Sequence, residues 1–149
     1  MPTEGTPVMF IHGLWLHASS WGPWVNLFAQ HGYRPTAPGW PGDPDTVEES
    51  RADPDALADH GIDEVTEHYA KLISDLDRPP VLIGHSFGGM IAQKLLGEGY
   101  GSAAIGIDAA QIKGVLPLPL CRLARGRRVL SVLARRPRAL TTHTHSSCG

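Results

Sequence analysis

Apolar residues come in short runs that alternate with stretches of helical spacing. Pro7-Val8-Met9-Phe10-Ile11 is continuous, partly β-branched and ended by His12-Gly13, which predicts a buried strand. Ser19 and Ser20 are suited to cap a helix reaching about residue 31, with Pro23 tolerated in its first turn. Trp24, Val25, Leu27 and Phe28 give that helix an apolar side, and Gly32 is the expected stop. Residues 33–37 predict a second strand, followed by turn chemistry in Pro38-Gly39-Trp40-Pro41-Gly42. Ile62, Val65, Tyr69, Leu72, Ile73 and Leu76 recur at helical spacing, so 62–76 predicts an amphipathic helix closed by Pro79-Pro80. Val81-Leu82-Ile83 predicts a third strand cut off at Gly84, and 87–96 a helix with Met90, Ile91 and Leu95 on one side. Ala103-Ala104-Ile105-Gly106-Ile107 predicts a fourth strand ending at Asp108. Strands alternating with helices imply crossover connections, hence an α/β fold with a mainly parallel sheet covered on both faces.

The acidic stretch 43–61 contains Asp43-Pro44-Asp45 and Asp53-Pro54-Asp55. Its carboxylate spacing does not match a calcium loop and the required glycine is absent, so a solvated loop is expected. No phosphate-loop pattern occurs, since Gly97-Glu98-Gly99-Tyr100-Gly101 has no lysine and follows a helix instead of preceding one.

The segment that carries chemistry is Val81-Leu82-Ile83-Gly84-His85-Ser86-Phe87-Gly88-Gly89-Met90. It sets Gly-x-Ser-x-Gly between a buried strand and a helix, the context in which this pattern forms a nucleophile elbow. A nucleophile on so tight a turn takes strained backbone angles and leaves little room for neighbouring side chains, and Gly84 and Gly88 provide that room. The turn lifts the Ser86 hydroxyl above the carboxyl edge of the sheet. The start of the next helix aims N–H groups and the positive dipole end at a developing oxyanion. A second donor must come from another loop. His12-Gly13-Leu14-Trp15, after the first strand, is the candidate: Gly13 permits close approach, Leu14 donates its N–H and Phe87 donates the other.

On these residues the chain resembles the N-terminal half of a serine α/β-hydrolase. It is most similar to the bacterial esterase-like branch, through His12-Gly13-Leu14-Trp15, Pro38-Gly39-Trp40-Pro41-Gly42-Asp43 and Gly84-His85-Ser86-Phe87-Gly88-Gly89 in that order. The resemblance covers about residues 7–119. It implies acyl transfer: Ser86 attacks the carbonyl of a small ester or acyl substrate, two N–H groups hold the oxyanion, and water releases the acyl group. Serine at position 86 argues against the dehalogenase and epoxide-hydrolase branches. The resemblance implies no cofactor and no metal. It places Trp15, Trp21, Trp24 and Trp40 around the acyl pocket, although taken alone they are more often plain core or turn packing, with His12 as a tie for the oxyanion loop and His85 as packing or hydrogen bonding beneath the elbow.

A serine hydroxyl is a weak nucleophile without a general base and an orienting acid, which in this family follow the serine in the order acid, then histidine. Asp108, at the end of the fourth strand, is the candidate acid, weighed against a strand-end aspartate that caps its own turn. His143 and His145 are the only histidines after Ser86. Both are expected in an unstructured end, and a metal role for them with Cys148 lacks any supporting partners. The sequence runs 63 residues past Ser86, and the expectation is a sheet truncated after about four strands, with weak or no activity. An open sheet edge, where a further strand would pair, then predicts self-association.

Composition changes this picture in one respect. The 149 residues are 42% hydrophobic and 19% charged, ordinary for one globular domain, and no apolar run is long enough for a membrane span. The net charge of −2, however, hides a split. Residues 1–113 carry 15 acidic and 6 basic side chains, whereas 114–149 carry seven arginines and no acid. This divides the chain into a partial hydrolase domain, 1–120, and an Arg-rich tail, 121–149, expected disordered or loosely helical. The expectation for such a tail is a frameshift or premature end near Leu120. The competing readings are a non-catalytic hydrolase fragment and a basic tail that binds anionic membrane or nucleic acid. Pro117, Pro119 and Gly126 weaken a tail helix and no aromatic is available for base stacking, so no nucleic-acid partner is expected. Two cysteines, Cys121 and Cys148, are too few for a disulfide scaffold, which sets the cytoplasm as the expected compartment.

Overall fold

In the computed structural model, residues 5–52 and 60–111 are described. Four strands, β1 (Pro7–Ile11), β2 (Arg34–Thr36), β3 (Val81–His85) and β4 (Ala103–Ile107), form one sheet in the order β2-β1-β3-β4. Every pairing is parallel. The helices are α1 (Gly22–Gln30), α2 (Val47–Ala52), α3 (Ile62–Ser74) and α4 (Phe87–Gly97), with a single 3-10 turn over Ala18–Trp21. This is the expected α/β architecture of the hydrolase type.

The continuous apolar runs are explained by burial on both faces. All five residues of β1 are buried. Met9, Ile11 and Leu82 point to one face, where they meet Val65, Tyr69 and Ile73 of α3 and Ile91, Ala92 and Leu95 of α4. Val8, Phe10 and Ile83 point to the other, against Trp21, Val25 and Phe28. There the Phe10 ring lies 4.8 Å from that of Trp21 and edge-on to Phe28 at 5.3 Å. Such offset and edge contacts are the favoured aromatic geometries.

Four details depart from the sequence expectation. The second strand is three residues long, not five. Pro35 has no N–H to give a second neighbour, which suits β2 to its place at the sheet edge. Ser19 and Ser20 lie in the 3-10 turn, which the His17 side chain caps by accepting the Ser19 N–H, and α1 begins only at Gly22. The third helix ends at Ser74, two residues short of the expected Leu76. The acidic stretch is not loop throughout: α2 starts there on a capping box. The Thr46 hydroxyl accepts from the Glu49 N–H at 3.2 Å while the Glu49 carboxylate accepts from the Thr46 N–H at 3.2 Å.

Among the described residues β4 ends the row of strands, and Ile105 on it is 50% exposed. The domain boundary at 120, the tail 121–149, Cys121, His143, His145 and Cys148 lie outside the described residues, as does whatever pairs with β4 beyond residue 111. Among the described residues no helix is long and apolar enough to cross a membrane.

Candidate active site

Strand register gathers the singled-out residues at one edge. Ile11 pairs with Gly84 and His85 with Ile107. Because the strands are parallel, the residues that follow, His12-Gly13-Leu14, Ser86-Phe87 and Asp108, leave the sheet side by side at its carboxyl end. This is also where the chain order reverses, with β2 on one side of β1 and β3 on the other. Open parallel sheets bind ligands at that crevice.

Ser86 sits between β3 and α4 at φ 54° and ψ −119°, a conformation ordinarily left to glycine. Its backbone is held on every side. The Ser86 N–H donates to Ile107 O at 3.0 Å, and Ser86 O accepts from Gly89 at 3.0 Å and from Ala110 at 2.9 Å. The flanking glycines answer to sterics. A Cβ on Gly84 would lie 2.1 Å from Gly88 O, and one on Gly88 would lie 2.1 Å from Ile11 O. The Ser86 side chain is part-buried, and its hydroxyl makes no hydrogen bond among the described residues.

The other loop abuts this turn. A Cβ on Gly13 would stand 3.0 Å from Ser86 Cβ and 3.0 Å from His85 O, so glycine is what lets the two meet. The N–H groups of Leu14 and Phe87, the expected oxyanion donors, donate to no other group among the described residues. Phe87 opens α4, whose first turn lends its positive dipole end.

His12 is 2% exposed and its Nδ1 donates to Gly13 O at 2.9 Å, since a carbonyl can only accept. Its ring stacks on Trp40 at 5.5 Å, and Trp40 Nε1 donates back to His12 O at 3.2 Å. Its Nε2 lies 3.3 Å from Asp43 Oδ2, and neither atom has a hydrogen-bond partner of proper geometry. Burial pushes the His12 pKa down, against the upward pull of Gly13 O and Asp43. His12 thus contacts Gly13 and Trp40, and its neighbour Asp43 was expected in solvent. The Asp43 side chain is 2% exposed instead. The turn is bent under His12 by an Asp43 N–H bond to Trp40 O at 2.9 Å, and Tyr69 of α3 donates to Pro38 O at 2.9 Å. Burial and the nearby Asp43 both push the Tyr69 hydroxyl up, which keeps it a donor. Tyr69→Phe should therefore cost about 1–3 kcal/mol by stranding the Pro38 carbonyl, as measured by denaturant unfolding.

His17 also does more than fill surface. Its Nδ1 accepts the Ser19 N–H at 3.2 Å and its Nε2 donates to Pro44 O at 3.0 Å, a second tie between the two loops. His85 is half-buried with its Nδ1 beside Gly13, and that nitrogen has no hydrogen-bond partner. Asp108 is exposed at φ 46°, adjacent in register to Ser86, and makes no hydrogen bond or ion pair among the described residues. The expected tryptophan wall is not assembled. Trp21 is core on the α1 face, Trp24 packs on Phe10 and Phe28 there, and Trp40 stacks on His12. Trp15 projects into solvent, 75% exposed at φ 63°, and Trp24 is 43% exposed.

A family model described as "Alpha/beta hydrolase family" matches residues 8–147. The chain belongs to that family. The matched span includes the Arg-rich stretch that composition set apart. Solved hydrolases share the fold. A monoacylglycerol lipase from Paleococcus ferrophilus aligns with TM-score 0.60 at 23% identity, covering 85% of this chain and 48% of that one. An extracellular alpha/beta-hydrolase from a Paenibacillus species gives 0.58 at 21%, with 72% and 42% covered. A pyrethroid hydrolase from Sphingobium faniae JZ-2 gives 0.55 at 23%, with 70% and 40% covered. This chain spans less than half the length of each of these structures. No curated protein matches it significantly.

Proposed function

We propose that the chain carries the nucleophile and oxyanion pocket of a serine ester hydrolase. The observation that supports this most is the backbone of Ser86, a serine at φ 54° and ψ −119° on a strand-to-helix turn, with a hydroxyl bonded to no other described group. In this reading Ser86 Oγ adds to an ester carbonyl and the Leu14 and Phe87 N–H groups bind the oxyanion. The alcohol then leaves and water hydrolyses the seryl ester. Asp108 takes the place of the acid that orients a general base. No described imidazole hydrogen-bonds to the Ser86 hydroxyl, so among the described residues the nucleophile and oxyanion donors stand without a bonded base. Two solved neighbours, a lipase of monoacylglycerols and a hydrolase of pyrethroids, act on small molecules, and a small carboxylic ester is the substrate class proposed here.

A fluorophosphonate probe tests the reading, because it phosphonylates an activated serine hydroxyl. The folded protein should be labelled at Ser86 and Ser86→Ala should abolish the labelling, as read by intact mass. Labelling that survives in Ser86→Ala, or none in folded wild type, overturns the assignment.

A further inference from the structure

The contacts beneath the oxyanion loop form a chain that ends at Ser86. The Gly13 carbonyl and the Leu14 N–H belong to one peptide unit, which is planar and, like every described peptide here, trans. Its C=O and N–H therefore point in opposite directions, so whatever aims the carbonyl aims the N–H. Two groups aim it: His12 Nδ1 donates to Gly13 O at 2.9 Å and the Leu16 N–H donates to it at 3.3 Å. The imidazole plane is in turn set by its stack on Trp40 and by Asp43 Oδ2, 3.3 Å from Nε2. Both facing atoms are buried, neither has a hydrogen-bond partner of proper geometry, and a gap of that size has no room for a water between them. We propose that Asp43 is a positioning residue: through His12 and the Gly13–Leu14 peptide it sets where the Leu14 N–H points beside Ser86. This rests on the oxyanion-pocket reading above.

The surroundings suit the role. Ser50 of α2 reaches Asp43 Oδ1 at 3.4 Å, while Glu48, Glu49 and Arg51 of the same helix are exposed. The charge of Asp43 helps push the Tyr69 hydroxyl of α3 up, and His17, with its Nε2 committed to Pro44, pushes the His12 imidazole down. With Nδ1 already donating, the contact between Nε2 and Oδ2 is satisfied only by a proton between them. Asparagine at 43 carries such a proton on its own amide; alanine leaves Nε2 facing a void.

The test compares Asp43→Asn, Asp43→Ala and Tyr69→Phe in the full chain. It reads the Leu14 amide by 1H–15N NMR and Ser86 labelling by fluorophosphonate. Asp43→Asn should keep the Leu14 resonance in place and label within about threefold of wild type. Asp43→Ala should displace or broaden it and slow labelling about tenfold or more, since a whole oxyanion donor is worth roughly 100- to 1,000-fold. Tyr69→Phe loosens the same turn without touching His12 and should leave the Leu14 amide in place. Should Asp43→Ala not fold, His12→Phe, which keeps the stack on Trp40, is expected to give the same displacement and slowing. An unmoved Leu14 amide in Asp43→Ala, or an equal loss in Asp43→Asn, overturns the proposal. If wild type is not labelled at all, the hydrolase reading fails, while the Leu14 amide still decides whether Asp43 controls that peptide.

Discussion

Gly88→Ala should cost more than about 4 kcal/mol and leave little soluble protein, although alanine is the better helix former by about 1 kcal/mol. The reversal of sign comes from where the first turn of α4 lies. A Cβ on Gly88 would stand 2.1 Å from Ile11 O and 2.6 Å from His12 O. Both are backbone atoms at the end of β1, and no side-chain rotation relieves the clash. Relief requires α4 to lift away from the sheet, which would open the contacts of Ile91, Ala92 and Leu95 with Met9, Ile11 and Leu82. Gly97→Ala, at the other end of the same helix, meets nothing within 4 Å and should be neutral or stabilising by up to about 1 kcal/mol. Guanidinium unfolding of the two variants makes the comparison. A Gly88→Ala midpoint equal to wild type would mean that the helix does not start against β1.

The glycines of the elbow were readable without a structure. Gly84 and Gly88 are legible because the steric demand of an elbow is local: strand, turn and helix are neighbours in sequence. The strands are legible for a related reason, since burial on both faces of a parallel sheet leaves uninterrupted apolar runs such as 7–11. Asp43 was not legible. An aspartate between Gly42 and Pro44 in an acidic stretch reads as solvated, and only contacts from far along the chain bury it. Tyr69 holds Pro38 from 31 residues away, and Trp40 stacks on His12 from 28. The Pro44 tie of His17, 27 residues distant, was hidden in the same way. The short helix α2 left a trace that went unused: Thr46 and Glu49 have capping-box spacing, but six residues without apolar periodicity do not announce a helix. The tryptophans stayed open between two readings because an indole suits a core, a turn or a ligand wall equally well, and tertiary packing decides among them.

The largest functional effect should accompany a gain in stability. Ser86→Gly removes the hydroxyl, so fluorophosphonate labelling should vanish, as it should in Ser86→Ala. The two variants should part in stability. A non-glycine residue at φ 54° and ψ −119° carries roughly 1–3 kcal/mol of backbone strain. Alanine keeps that strain. Glycine sheds it and gives back roughly 0.5–1 kcal/mol through its more flexible unfolded chain. Ser86→Gly should therefore be about 1 kcal/mol more stable than Ser86→Ala, and than wild type, by denaturant unfolding. The bonds from Ser86 N to Ile107 O and from Ala110 N to Ser86 O survive in both, so backbone support cancels in the comparison. Equal stabilities would mean that the turn relaxes around any side chain. A gain confined to glycine would mean that the fold keeps a strained residue where an unstrained one would fold better. Strain of that kind persists where the side chain it holds in place is used, and the only polar atom gained at position 86 is the hydroxyl oxygen.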